Sequence, residues 1–193
     1  FGSGWAWLSR NRFGELVVGT VRVRWSRHQA YYDQDPWRGT WAMDGGVLTN
    51  QASHHVDMLQ WMIGDVESVF AKATTALARI EAEDTIIVTL KFSNGALGVI
   101  EATTAARPIN LEGSISVLGE AGTVVIGGFA VNQMQTWAFE EKLPGDDQVL
   151  EEYSVNPPNV YGFGHQAYYE HVVDCMDNEK QHLVDGLEAR KSL

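Results

Sequence analysis

An α+β fold, a mostly antiparallel open sheet with helices on one face, is what this chain of 193 residues predicts. Three observations carry the prediction. A helical period runs from Val47 to Ile63, the period switches to two after Asp65, and helical patterning returns near the end of the chain. Apolar residues make up 45% of the sequence and charged residues 20%, so there is ample surface to bury and no reason to expect disorder over most of the length.

The elements follow in order. Residues 1–11 form an irregular N-terminal segment, and residues 12–193 read as one domain. Leu16 to Trp25 alternates Val17, Val21 and Val23 with Arg22 and Arg24, the pattern of a strand. Ser26 to Asp44 is a polar and aromatic loop, closed by Gly45-Gly46. From Val47 to Ile63, residues Leu48, Ala52, Val56, Leu59 and Ile63 share one helical face, and Gly64 is placed to cap the end. Val66–Leu77 and Thr85–Phe92 read as strands, and Asn94-Gly95 is a favoured two-residue hairpin turn into Ala96–Ala105. Gly113–Leu118 and Thr123–Ile126 predict another hairpin, with weaker strands at Gln133–Phe139 and Val149–Val155. Pro157-Pro158 breaks the pattern, a helix is expected from His165 to about Asn178, and Leu187–Leu193 starts like another. An open sheet of this kind leaves a second face that meets water or a partner.

Charge narrows the function. Fourteen basic against twenty-five acidic residues give a net charge of −11, which argues against nucleic acid as a partner. The first 38 residues nevertheless hold six arginines against three acids, a local positive strip suited to a small anionic ligand. No apolar run is long enough to span a membrane, and the single cysteine, Cys175, fits a reducing, cytoplasmic setting.

Two groups of residues suggest chemistry. Asn50, His54, Asp57 and Trp61 form one stripe opposite the apolar face of the predicted helix. That stripe is either a solvated face with an incidental histidine or a polar face that presents an imidazole to a ligand. His55 projects nearer the packed side and reads as structural. Adjacent histidines on a helix diverge by roughly 100°, so His54, His55 and Asp57 do not read as metal ligands, and no metal site is assigned. The second group is the loop. Arg24, Arg27 and Arg38 lie among Tyr31, Tyr32 and Trp37, and guanidinium forks beside flat rings recognise carboxylates, phosphates and sugars. The same composition also fits a loop packed by its own aromatics. Gly162-Phe163-Gly164-His165-Gln166-Ala167 matches a dinucleotide fingerprint in form, but no strand feeds it and no βαβ unit follows.

Residues 44–64, with a glycine pair, His54-x-x-Asp57, an aromatic and a closing glycine, resemble the signature of the Gfo/Idh/MocA oxidoreductase family. Glu83-Asp84-Thr85, Phe92-Ser93-Asn94-Gly95-Ala96, Gly119-Glu120-Ala121-Gly122 and the ending from Val184 extend the resemblance over roughly residues 12 to 193. Tyr31-Tyr32-Asp33 and Trp37-Arg38-Gly39-Thr40-Trp41 look most like members acting on UDP-N-acetyl-hexosaminuronic acids. The resemblance implies a glyceraldehyde-3-phosphate dehydrogenase-like C-terminal domain, with NAD or NADP held by an N-terminal Rossmann domain that this chain does not include. It further implies oxidation of a sugar hydroxyl, His54 as the acid/base, Asn50 beside it where many members have Asp, and a homodimer or tetramer formed through the sheet face. A non-catalytic module for dimerisation or ligand binding is the alternative.

Overall fold

Strand β1 (Leu16–Arg24) turns Val21 and Val23 into the core and Arg22 and Arg24 away from it, as its alternation requires. The computed structural model describes residues 12–129, 131–155 and 164–192; the segment 1–11, Pro157-Pro158 and Gly162-Phe163 fall outside them. After a short helix α1 (Gln29–Tyr32) and helix α2 (Ser53–Ile63) come β2 (Val66–Thr74), β3 (Thr85–Phe92) and β4 (Leu97–Thr103). Strands β5 (Glu112–Gly119), β6 (Gly122–Gly127) and β7 (Gln133–Phe139) follow, then helices α3 (Asp146–Glu152), α4 (Gly164–Asp177) and α5 (Gly186–Ala189).

The strands make one sheet in the order β2-β3-β4-β1-β5-β6-β7. All neighbours are antiparallel except β1 and β4, which run parallel. The first strand therefore lies in the middle, with one meander on each side. The predicted α+β class holds.

One face of the sheet carries the core. Val21, Val23, Ile100, Ile115 and Phe92 are all nearly inaccessible, and α2 lies over them on Leu59 and Ile63. Gly19 makes that approach possible. A Cβ there would stand 2.7 Å from Leu59 Cδ1 and 2.8 Å from Ile63 Cγ1. The turn predicted at Asn94-Gly95 is present, with Gly95 at φ 90°. It also holds α2, because the Asn94 amide donates to the Ile63 carbonyl at 2.9 Å.

Three expectations need correction. The helix begins at Ser53, not Val47. The Val47 and Leu48 N–H groups donate to the Glu83 carbonyl and carboxylate, at 2.9 and 3.1 Å, and the Ala52 N–H reaches five residues back to the Val47 carbonyl at 2.9 Å, out of the helical ladder. Strand β2 stops at Thr74 rather than Leu77, because the N–H groups of Ala76, Leu77 and Ala78 all turn to the Asp84 carboxylate. Residues 146–152 are helix where a strand over Val149–Val155 was expected. Asp146 and Asp147 favour the positive end of a helix, and Val149 with Tyr153 fits a helical spacing as well as an alternating one.

The start of helix α3 is tied to the sheet by a carboxylate, and its end by the Tyr153 carbonyl, which accepts the Met134 N–H of β7 at 3.2 Å. Asp146 accepts from both Arg12 Nη atoms at 2.9 and 2.8 Å, from Trp137 Nε1 at 2.8 Å and from the Leu143 N–H at 2.8 Å. The hydrogen bond from Arg12 outweighs burial and holds the carboxyl well below the usual range. Both partners of the ion pair are about nine-tenths covered. Asp146→Ala leaves the Arg12 charge unpaired, and the expected loss is about 3 kcal/mol, read as a lowered urea midpoint. An unchanged midpoint would show that α3 contributes nothing to global stability.

Candidate functional site

The candidate site grows from the turn that precedes α2. Gly45 adopts φ 71°, a conformation that disfavours a side chain, and a Cβ there would also meet Thr49 Oγ1 at 2.1 Å. A Cβ on Gly46 would fall 2.0 Å from the Glu83 carboxylate. Gly46 and Glu83 are thus two halves of one contact. Asp84, fully buried, accepts from three successive backbone N–H groups and from Thr85 Oγ1. Burial raises its pKa, but those donors outweigh it, and the carboxyl sits below its ordinary value.

Asp44 links the loop to the helix start. Its carboxylate accepts the Gly39 N–H at 2.6 Å and the Asn50 amide. Asn50 therefore lies in the turn before α2, one turn of chain from His54, with its amide nitrogen engaged. His54, Asp57 and Trp61 all lie exposed on α2, so the polar stripe is a real face of the helix from residue 54 onward. His54 has no hydrogen-bond partner among the described residues.

The loop residues divide into two sets. Arg27, Tyr31, Trp37 and Arg38 come together. The Arg38 guanidinium stands over Tyr31 at 4.4 Å and over Trp37 at 4.7 Å, and Arg27 over Tyr31 at 5.3 Å. Arg38 also pairs with Asp35 at 3.0 Å. Tyr32 supports them, its ring edge-on to Tyr31 at 5.1 Å, whereas Arg24 does not join them. Arg24 lies on the open face of the sheet, bonded to Glu101 at 2.6 Å and Glu112 at 3.2 Å. Tyr32 is 6% exposed and its hydroxyl meets Thr104 at 2.8 Å, so it braces the loop from within.

A polar groove of about 350 Å³ opens beside this cluster, between the loop and residues 79–81. Arg38 and Arg79 line it together with Asp33, Asp35 and Glu81. Sequence reasoning missed Arg79 and Glu81, which lie in a stretch without periodicity. The Gly39 carbonyl accepts the Glu81 and Ala82 N–H groups, and the Arg79 N–H donates to the Gln29 side-chain carbonyl at 2.7 Å, which fixes both residues against the loop.

The motif match and this geometry agree with the comparisons. A family model for the GFO/IDH/MocA C-terminal domain matches residues 5–125. The chain belongs to this family. The WlbA dehydrogenase of Bordetella pertussis, solved with NADH and UDP-GlcNAcA, is 47% identical with a TM-score of 0.89, over 96% of this chain and 53% of that one. The WlbA dehydrogenase of Chromobacterium violaceum, also solved with NADH and UDP-GlcNAcA, is 45% identical with a TM-score of 0.86, over 96% of this chain and 51% of that one. Myo-inositol 2-dehydrogenase of Thermotoga maritima is 31% identical over 109 residues, which is 54% of this chain and 31% of the relative. This member of the family thus spans about half the length of the solved relatives.

The described residues offer no dinucleotide cradle. The one parallel pair, β1 and β4, is not joined directly by a glycine-rich turn into a crossover helix; of the Gly162 fingerprint, Gly162 and Phe163 lie outside the described residues and Gly164 to Ala167 open helix α4. No helix among the described residues is long and apolar enough to cross a membrane.

His55, beside His54, points the other way. It is 4% exposed, lies edge-on to Trp25 at 5.8 Å, and neither ring nitrogen has a hydrogen-bond partner. Burial, with a smaller effect from the neighbouring His54, pushes its pKa down to about 4 from 6.5. The unfolded imidazole binds a proton below pH 6.5 that the folded one refuses until about pH 4. Stability should therefore fall as pH drops through that window, by up to about 1.4 kcal/mol per unit. Urea midpoints measured across it should lose this slope in His55→Gln; an identical slope in the variant would assign the effect elsewhere.

Proposed function

We propose that this chain is the substrate domain of an NAD(P)-dependent dehydrogenase that oxidises a hydroxyl of a sugar nucleotide, closest to a UDP-linked N-acetyl-hexosaminuronic acid. The observation that carries the reading is the 47% identity, over nearly the whole chain, to a dehydrogenase solved with NADH and UDP-GlcNAcA. NAD or NADP, held by a Rossmann domain outside this chain, supplies the hydride acceptor. The residues of this chain hold the sugar and move the proton.

His54 is the acid/base. Imidazole exchanges protons near neutral pH, and an exposed ring on the first turn of a rigid helix can reach a substrate hydroxyl. Asn50 orients the substrate beside it from a turn fixed by Asp44. Arg27, Tyr31, Trp37 and Arg38 form the anionic-sugar contact: the rings stack on the sugar or base, and the guanidinium groups face the carboxylate or phosphate. Arg24, held by Glu101 and Glu112 on the open face of the sheet, is left to a structural role, and Tyr32 supports Tyr31 from within.

The same reading includes a homodimer or tetramer in a reducing, cytoplasmic setting. The open sheet face supports it, since Phe70, Ile87, Leu97 and Leu118 are exposed there around the Arg24–Glu101 pair.

In a protein that joins this chain to its cofactor domain, His54→Asn should lower kcat for UDP-GlcNAcA by about 10²–10⁴-fold and leave NADH affinity unchanged. Near-normal turnover would return His54 to an ordinary surface histidine. A preference for free neutral sugars over UDP-GlcNAcA would overturn the substrate class while keeping the family. Light scattering on the chain should give a dimer or larger species that Phe70→Glu with Ile87→Glu reduces to a monomer. A monomeric wild-type chain would defeat the assembly reading.

A further inference from the structure

Far from this site in the sequence, three side chains of metal-ligating type converge at the end of α4. His171 and Cys175 stand one helical turn apart, so their side chains lie on the same face. After Asp177 the chain reverses. Glu179 takes φ 51°, the Lys180 N–H donates to the Cys175 carbonyl at 3.0 Å, and Lys180 Nζ pairs with Asp174 at 2.9 Å. This turn lays residues 181–183 back along the helix. The Leu183 N–H then reaches His171 Nε2 at 3.2 Å, and Cys175 Sγ donates to the Gln181 carbonyl at 3.6 Å. His182 comes round beside His171, with ring centroids 6.2 Å apart. The ligand atoms of His171, Cys175 and His182 all lie within 4.8 Å of one another.

We propose that His171, Cys175 and His182 bind a zinc ion that clips the turn after α4. A tetrahedral zinc with Zn–S of about 2.3 Å and Zn–N of about 2.0–2.1 Å has sulfur–nitrogen edges of about 3.5 Å. Cys175 Sγ and His171 Nε2 already stand 3.5 Å apart. His182 is exposed and free to swing its ring inward over the remaining distance, and water completes the fourth position. One thiolate with two imidazoles suits zinc or cobalt and not magnesium or calcium. On binding, the thiol releases its proton to solvent and gives up the Gln181 carbonyl, and the Leu183 N–H turns to water, which its exposed position allows.

The test uses cobalt(II) as a spectroscopic probe and zinc as its competitor. Titration should give one cobalt per chain with a thiolate-to-cobalt charge-transfer band, and equimolar zinc should abolish that band. Cys175→Ser should remove the band. His182→Ala changes only an exposed residue, so it should keep the fold by circular dichroism and weaken binding by roughly tenfold or more. Absence of the band in the wild-type chain, or an affinity that His182→Ala leaves unchanged, overturns the proposal and leaves the cluster as a hydrogen-bonded helix terminus.

Discussion

The carboxylate of Glu83 occupies the space where a side chain on Gly46 would stand, and much of the structure depends on that contact. It takes the Leu48 N–H, while the Glu83 carbonyl takes that of Val47, so the turn that leads into the helix at Ser53 is anchored at both donors. The start of α2 is thereby fixed against β3, the strand that Glu83 and Asp84 lead into. Everything on the helix inherits that position. Leu59 and Ile63 settle on Gly19, and His54 emerges on the first exposed turn. A motif that reads as two separate strings of residues is one packed joint.

Two neighbouring histidines show what a helix does with a 100° step. His54 faces solvent, and His55 is sealed against Trp25 with both nitrogens unpaired. An unpaired buried imidazole tolerates no charge, so its neutrality is built into the fold. The same division runs through the arginines. Arg24 is held on the open face between two carboxylates, whereas Arg27 and Arg38 lie over aromatic rings at the groove. Arg38 shares its guanidinium between these rings and the Asp35 carboxylate at 3.0 Å, so only one side of its fork is committed to an acid.

The fold was legible wherever a local pattern is also the pattern of burial. The alternation of β3, with Ile86, Val88, Leu90 and Phe92 inward, reads directly, as does the Asn94-Gly95 turn. His55 as a structural residue and the exposed stripe of His54, Asp57 and Trp61 follow from helical spacing alone. The family is legible for the same reason, because its signature is a run of adjacent residues. Where local preference was ambiguous, as at Val149–Val155, the deciding contacts came from Arg12 and Trp137, distant in sequence.

The sequence by itself determined the class of the fold, the family and the side of α2 on which His54 stands, because each depends on residues within a few turns of one another. Only the tertiary structure decided that β1 lies at the centre of the sheet, parallel to β4, since strand order is set by long-range pairing. It alone separated Arg24 from Arg27, Tyr31, Trp37 and Arg38, because composition does not say which carboxylate a side chain will meet. His182 joins His171 and Cys175 for the same reason: the helix supplies two of the residues at regular spacing, and the third arrives only through a reversal of the chain.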